Sequence, residues 1–156
     1  MKIEWKKLIV SLAVPLAVGG AAALITKDNM VMFEVLEKPP LAPPGWVFPA
    51  AWTVLYILMG LAAYRVWISD APPERRRAAG AYYALSLVFN FGWPIIFFNL
   101  EKYLAAFVWL CLLWLFTRAA AVQFKRADKA SGWLMLPYVL WVAFAGYLNM
   151  GIYLLS

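Results

Sequence analysis

Four stretches of this chain run without a single charge: Leu8 to Thr26, Pro39 to Tyr64, Ala78 to Leu100 and Ala130 to Ser156. They hold 19, 26, 23 and 27 residues. A helix crossing about 30 Å of hydrocarbon needs roughly 20 mostly apolar residues, so each run is long enough to span a bilayer. A fifth run, Tyr103 to Phe124, carries only Arg118, close enough to its end to snorkel to the interface. The spacing predicts an all-α membrane protein, a bundle of five transmembrane helices over about 6–26, 45–68, 76–99, 102–125 and 131–155. One domain covers 1–156. The last three connections are only a few residues each, which makes those helices antiparallel neighbours.

Composition agrees and excludes several functions. The chain is 65% hydrophobic and 14% charged, against about 25% charged in a soluble domain. It contains no His, so the commonest general base and metal ligand are missing. Its single cysteine, Cys111, allows neither an intrachain disulfide nor a Cys-cluster zinc site. No carboxylate sits mid-span, which argues against an ion-coupled transporter, and an odd number of helices does not divide into two equal inverted repeats. No nucleophile and base pair is visible, so hydrolysis is not expected. Neither a metal nor a resident cofactor is expected.

Charge sets the orientation. With five spans, one side of the membrane carries Lys2, Lys6, Lys7, Arg65, Arg75, Arg76, Arg77, Arg118, Lys125, Arg126 and Lys129, and the other only Lys27, Lys38 and Lys102. Acidic residues divide evenly, four to a side. The positive-inside rule then puts the N-terminus in the cytoplasm and the C-terminus outside, in a plasma or inner membrane. The net charge of +6 is therefore a topology signal. Nucleic acid is not an expected partner, because no basic stripe is interleaved with exposed aromatics.

The connection between the first two spans, 27–44, is the only long one. It holds Pro39, Pro40, Pro43 and Pro44, which force extended or turn backbone. Ahead of them Asp28 to Leu36 has the composition for about two turns of helix. Long ordered loops in compact bundles are usually functional, and the apolar cluster Met30, Val31, Met32, Phe33 and Leu36 suits a lid over the outer mouth of the bundle. A plain linker is the alternative.

Trp5, Trp46, Trp67 and Trp133 lie near span ends, where an aromatic belt is expected. Trp52, Trp93, Trp109, Trp114 and Trp141 lie deeper, and an indole N–H in hydrocarbon needs a partner. Three helices each present a stripe of aromatic and polar groups at helical spacing. These are Phe48, Trp52 and Tyr56; Asn90, Trp93, Pro94 and Phe97; and Tyr138, Trp141, Ala145, Leu148 and Asn149. Such a lining suits a flat, mostly apolar ligand held by stacking and a few hydrogen bonds. Ordinary helix packing, with Asn90 and Asn149 bonded to neighbouring helices, explains the pattern equally well.

Three motifs in order resemble the TspO/MBR family, the tryptophan-rich sensory and translocator proteins also known as peripheral-type benzodiazepine receptors. The first is Lys38-Pro39-Pro40-Leu41-Ala42-Pro43-Pro44-Gly45-Trp46-Val47-Phe48 leading into Trp52-Thr53-Val54-Leu55-Tyr56. The second is Asn90-Phe91-Gly92-Trp93-Pro94, and the third runs from Leu136-Pro137-Tyr138 through Trp141 to Asn149. The resemblance implies a bundle, often dimeric, whose pocket is closed by the first loop. Its implied ligands are porphyrins such as protoporphyrin IX, sterols such as cholesterol, and synthetic benzodiazepine-type compounds. It places pocket tryptophans at Trp52 and Trp141, a pocket asparagine at Asn90, a small fifth-helix residue at Ala145 and loop prolines at Pro43 and Pro44. Phe33 and Trp46 complete the expected lid contacts.

The resemblance also implies, for some members, light-dependent porphyrin degradation in which Trp52 and Trp141 would be the catalytic pair, and it leaves sterol, lipid or porphyrin transport open. The chain departs from the family pattern at Leu41, where many bacterial members have Trp, and at Phe33, where some have Tyr. No basic residue follows Tyr153, so the usual sterol pattern is incomplete, although Arg77, Tyr82 and Leu85 fit its reversed form. A homodimer is expected from the small-residue spacings Gly80/Ala84 and Ala13/Ala17/Ala21, which allow close helix approach.

Overall fold

A computed structural model describes residues 2–156. Five α-helices run through the described residues: α1 (Trp5–Thr26), α2 (Val47–Trp67), α3 (Pro73–Pro94), α4 (Tyr103–Ala127) and α5 (Lys129–Leu155). At 1.5 Å per residue, helices of 21 to 27 residues reach across a bilayer core. No strand occurs among the described residues. Helix is what hydrocarbon requires, since every backbone N–H and C=O must be satisfied within its own segment. The boundaries fall close to the expected ones, except that α3 begins a turn earlier, with Pro73 filling a first-turn position whose N–H needs no partner.

The helices close into a ring in the order α1, α2, α5, α4, α3, with the α4–α5 and α3–α4 seams the most extensive. Close approach depends on small residues. A Cβ on Gly60 would lie 2.8 Å from the Ser11 carbonyl oxygen, so α1 and α2 meet backbone to backbone there. Met59, Ala62, Leu113, Met135, Tyr138 and Val142 fill the centre.

At the arginine-rich end a single residue, Asp128, joins α4 to α5. It caps α5 by accepting from Ser131 N at 3.0 Å, and Arg65 Nε of α2 donates to its Oδ2 at 2.8 Å. Ser131 Oγ donates in turn to Ala62 O at 3.0 Å, tying α5 to α2. Partial burial pushes the Asp128 carboxyl up, but the hydrogen bonds from Arg65 and Ser131 outweigh it and hold the carboxyl below its ordinary value.

At the opposite end Pro94 withholds an N–H from the α3 ladder, and a single π-helical turn, Ile95–Asn99, follows. That turn drives Phe97 inward to 2% exposure. The segment 27–46 lies over this end. Instead of two α-helical turns it forms a short 3-10 helix, Met30–Glu34, followed by turns. Phe33 is buried beside Phe97, Ala106 and Ile152, with Leu36 and Phe48 packed against the same cluster. Through that contact the loop packs against this end of the bundle.

Candidate ligand site

The site is built on the inward face of α2. Phe48, Trp52 and Tyr56 fall one turn apart, and α5 presents Tyr138 and Trp141 opposite them. Trp52 stacks on Tyr56 at 5.5 Å between centroids and 24° between planes. It meets Tyr138 edge-on at 6.4 Å and 73°, and Trp141 at 6.4 Å and 88°. Phe48 continues the series, 6.0 Å from Trp141 and 5.0 Å from Phe33 of the loop. A column of rings thus runs from the loop to the bundle centre, each pair in the offset or edge arrangement that the ring quadrupole favours. Trp52 and Trp141 are both partly buried and turned toward each other, and their own contact occupies the space between them.

Beneath the column lies a polar floor. Tyr56 Oη donates to Asn90 Oδ1 at 2.9 Å, and Asn90 Nδ2 donates to Tyr138 Oη at 3.0 Å. Asn90 is 4% exposed, so its amide braces α2 and α5 from α3 at both polar ends. Asn149 does the same nearer the loop: its Oδ1 accepts from Trp93 Nε1 at 3.0 Å, and its Nδ2 donates to Tyr103 O at 2.8 Å. Both asparagines therefore make the interhelical bonds that the packing alternative anticipated. Trp93 packs on Phe97 at 5.2 Å, with Pro94 half-buried beside them. Ala145 and Leu148 are buried on α5.

The deep indoles differ in their partners. Trp93 is satisfied by Asn149, and Trp109 Nε1 donates to Phe89 O at 2.7 Å. The Nε1 of Trp114 and of Trp141, and the Tyr83 hydroxyl, are buried without a partner among the described residues. An orphaned buried donor costs about 1–3 kcal/mol, which makes each a place where an acceptor would be welcome. Two open grooves run along the sides of the bundle. One, of about 630 Å³, follows the α4–α5 seam past Trp114, Gly146 and Tyr147. The other, of about 610 Å³, follows the α2–α5 seam past Ala50, Ala51, Pro137 and Phe144, with Trp141 as part of its wall. Both are almost wholly apolar.

The loop is fastened at both ends of its span. Asn29 Nδ2 donates to Asn99 Oδ1 at 2.7 Å, and Asn99 Nδ2 donates to Ile25 O at 3.2 Å. Tyr147 Oη of α5 donates to Pro40 O at 2.6 Å. Pro39 lies so close to Gly151 that a Cβ there would collide with its ring. Lys38 sits 4.8 Å over the Phe33 ring while donating to Leu36 O at 3.1 Å. Among the expected lid residues, Phe33 is buried and Pro43 half-buried, whereas Pro44 and Trp46 are exposed. Asn29, Asn99, Pro39 and Tyr147 escape a reading by periodicity, because each pairs with a residue far away in the chain. The only local signal is that Asn29 and Asn99 both lie close to the end of an uncharged run.

An all-α bundle of five membrane-length helices, with an aromatic column inside and a proline-rich loop seated over one end, defines a polytopic membrane protein. The chain belongs to the TspO/MBR family, whose profile matches residues 11–155. It is 38% identical over 149 residues to the tryptophan-rich sensory protein of Cereibacter sphaeroides, covering 96% of this chain and 90% of that one. It is 37% identical over 138 residues to the tryptophan-rich protein TspO of Chlorobaculum tepidum, covering 88% and 87%. A translocator protein of Ovis aries is 34% identical over 127 residues, covering 80% and 75%.

Proposed function

We propose that this membrane protein binds tetrapyrroles of the protoporphyrin IX type, and related flat apolar ligands, in the half of the bundle under the 27–46 loop. Trp52 and Trp141 part to take the ligand between them, Phe48, Tyr56 and Tyr138 complete the walls, and the loop closes over it through Phe33. The observation that carries this reading is the right-angled Trp52–Trp141 pair, together with the buried Trp141 Nε1 that has no acceptor. A flat ring has faces for the indoles to stack on, and an acid-bearing porphyrin has acceptors for that N–H. Asn90 supports the floor, and it reaches a ligand by exchanging one of its tyrosine bonds.

The test is a titration of tryptophan fluorescence with protoporphyrin IX in proteoliposomes, comparing the native chain with Trp141→Phe and Asn90→Ala. Saturable quenching weakened in either variant supports the reading. Quenching that both variants leave untouched overturns it. A ligand bound between Trp52 and Trp141 would meet two oxidisable indoles, which favours light-dependent degradation as the second reading. Irradiation giving a defined product that Trp52→Phe abolishes supports degradation, and unspecific bleaching supports binding alone. Labelled-sterol or porphyrin flux across the same vesicles tests transport.

The clustering of Arg65, Arg75, Arg76, Arg77, Lys125 and Arg126 at the end away from the loop favours a cytoplasmic N-terminus in a plasma or inner membrane. Gly80 and Ala84 are exposed on α3, as are Ala13, Ala17 and Ala21 on α1, and a Cβ on Gly80 would meet nothing within 4 Å. These open small-residue faces favour a homodimer. Crosslinking in bilayers that yields monomer alone removes the dimer.

A further inference from the structure

The turn that carries the tightest point of the loop is strained. Ala42 N donates to Pro39 O at 3.3 Å, closing a four-residue turn with Pro40 and Leu41 at its centre. Leu41 has φ of 72°, the left-handed region that side-chain-bearing residues avoid. Pro40 cannot take a positive φ, because its ring locks φ near −65°. The turn is therefore type II, the form that asks for Gly or Asn at its third position. Here that position holds a leucine, 83% exposed and with no burial to compensate for its backbone. Its type I alternative would put Leu41 in an ordinary conformation, and the two forms differ by a flip of the central peptide between Pro40 and Leu41.

The oxygen of that same central peptide is the one held from outside. Tyr147 Oη, projecting from α5, donates to Pro40 O at 2.6 Å, a short bond for a neutral pair. Flipping the peptide would swing this oxygen away from Tyr147. Beside it Pro39, buried, is seated on the bare backbone of Gly151 one turn further along α5. We infer that Tyr147 and Leu41 form a sprung latch. The tyrosine bond holds the Pro40–Leu41 peptide in the strained form that keeps the loop against α5, and loss of the bond lets the peptide flip and the loop lift. Tyr147 acts here as a positioning residue for the loop. The role of the loop as a ligand lid rests on the reading proposed above, whereas the latch stands on the turn and its bond alone.

Hydrogen–deuterium exchange of the full chain in lipid nanodiscs, without ligand, tests the latch at the amide of Ala42, which donates to Pro39 O while the loop is seated. Tyr147→Phe removes the bond and keeps the ring, and exchange there should quicken by about fivefold. Leu41→Asn and Leu41→Gly suit the left-handed position, and exchange should slow by about tenfold. Asn retains a side chain, so its slowing is not a product of added glycine freedom. Unchanged exchange in Tyr147→Phe, or quickened exchange in both Leu41 variants, overturns the latch. A second arm measures protoporphyrin association and dissociation. Both rates should rise together in Tyr147→Phe and fall together in Leu41→Asn if the latched loop is the lid. Exchange that shifts as stated while ligand rates stay fixed keeps the latch and removes the lid.

Discussion

Trp52 and Trp141 touch at right angles, 6.4 Å apart, with Trp52 backed by the Tyr56 ring. An aromatic pair in this geometry is worth about 0.5–1.5 kcal/mol beyond the area it buries. A ligand that separates the rings must recover that loss by stacking on both. Trp141→Phe keeps an aromatic face but removes the N–H and some area, so protoporphyrin affinity should fall by about five- to tenfold. Fluorescence titration in vesicles measures it, and an affinity equal to the native value would show that Trp141 lies outside the site.

Asn90 bridges Tyr56 and Tyr138 in the buried centre of the bundle. Asn90→Ala leaves both hydroxyls searching for partners and should cost about 1–3 kcal/mol, read as a lowered midpoint of thermal unfolding in detergent. If Asn90→Ala melts like the native chain, the polar floor contributes nothing to holding the bundle.

Gly19 faces the Tyr56 ring so closely that a Cβ would collide with it. Gly19→Val should push α1 outward or turn Tyr56 off Asn90, lowering stability by about 1–3 kcal/mol and loosening the stack beneath Trp52. Near-ultraviolet circular dichroism reports the ring packing, and an unchanged spectrum in Gly19→Val would count against this contact.

Asp128 provides a pH dependence with a definite sign. Its carboxyl lies below its ordinary value when folded, so the unfolded chain binds the proton more readily. Its contribution is present above the ordinary carboxylate range, about pH 4 and upward, and is lost as pH falls through the lowered value. The Arg65 side of the pair is largely exposed, which limits the ion pair to about 1 kcal/mol or less, with a similar contribution from the cap. Asp128→Ala should therefore lower the unfolding midpoint at neutral pH and flatten its decline toward acid. Equal acid sensitivity in the two proteins would place the titrating group elsewhere.

The helices were legible in the sequence because hydrocarbon enforces one solution: uncharged runs of the right length have no other way to satisfy their backbone. The inward stripes were legible for the same reason, since aromatic and amide groups at helical spacing have little reason to face acyl chains. What periodicity left open was the use of the two asparagines. Asn90 and Asn149 present the same pattern whether they face a ligand or a neighbouring tyrosine, and only the positions of Tyr56, Tyr138 and Tyr103 across the bundle decide where each amide bonds. The fastening of the loop was hidden for a related reason. Tyr147 and Pro40 stand 107 residues apart, Asn29 and Asn99 stand 70 apart, and neither pair leaves a local mark. The orphaned Trp141 N–H lies between these cases: its depth was visible, its missing partner was not.

The connections grade from slack to rigid along the chain: twenty residues separate α1 from α2, five separate α2 from α3, three lie between the π turn and α4, and one joins α4 to α5. Helices joined by one residue and packed along their whole length behave as a single plank, and α3 is tied almost as closely to it. Any widening of the aromatic column must then come from the side where the tether is loose, with α1 and α2 swinging as a door whose free edge is the seam beside Trp141.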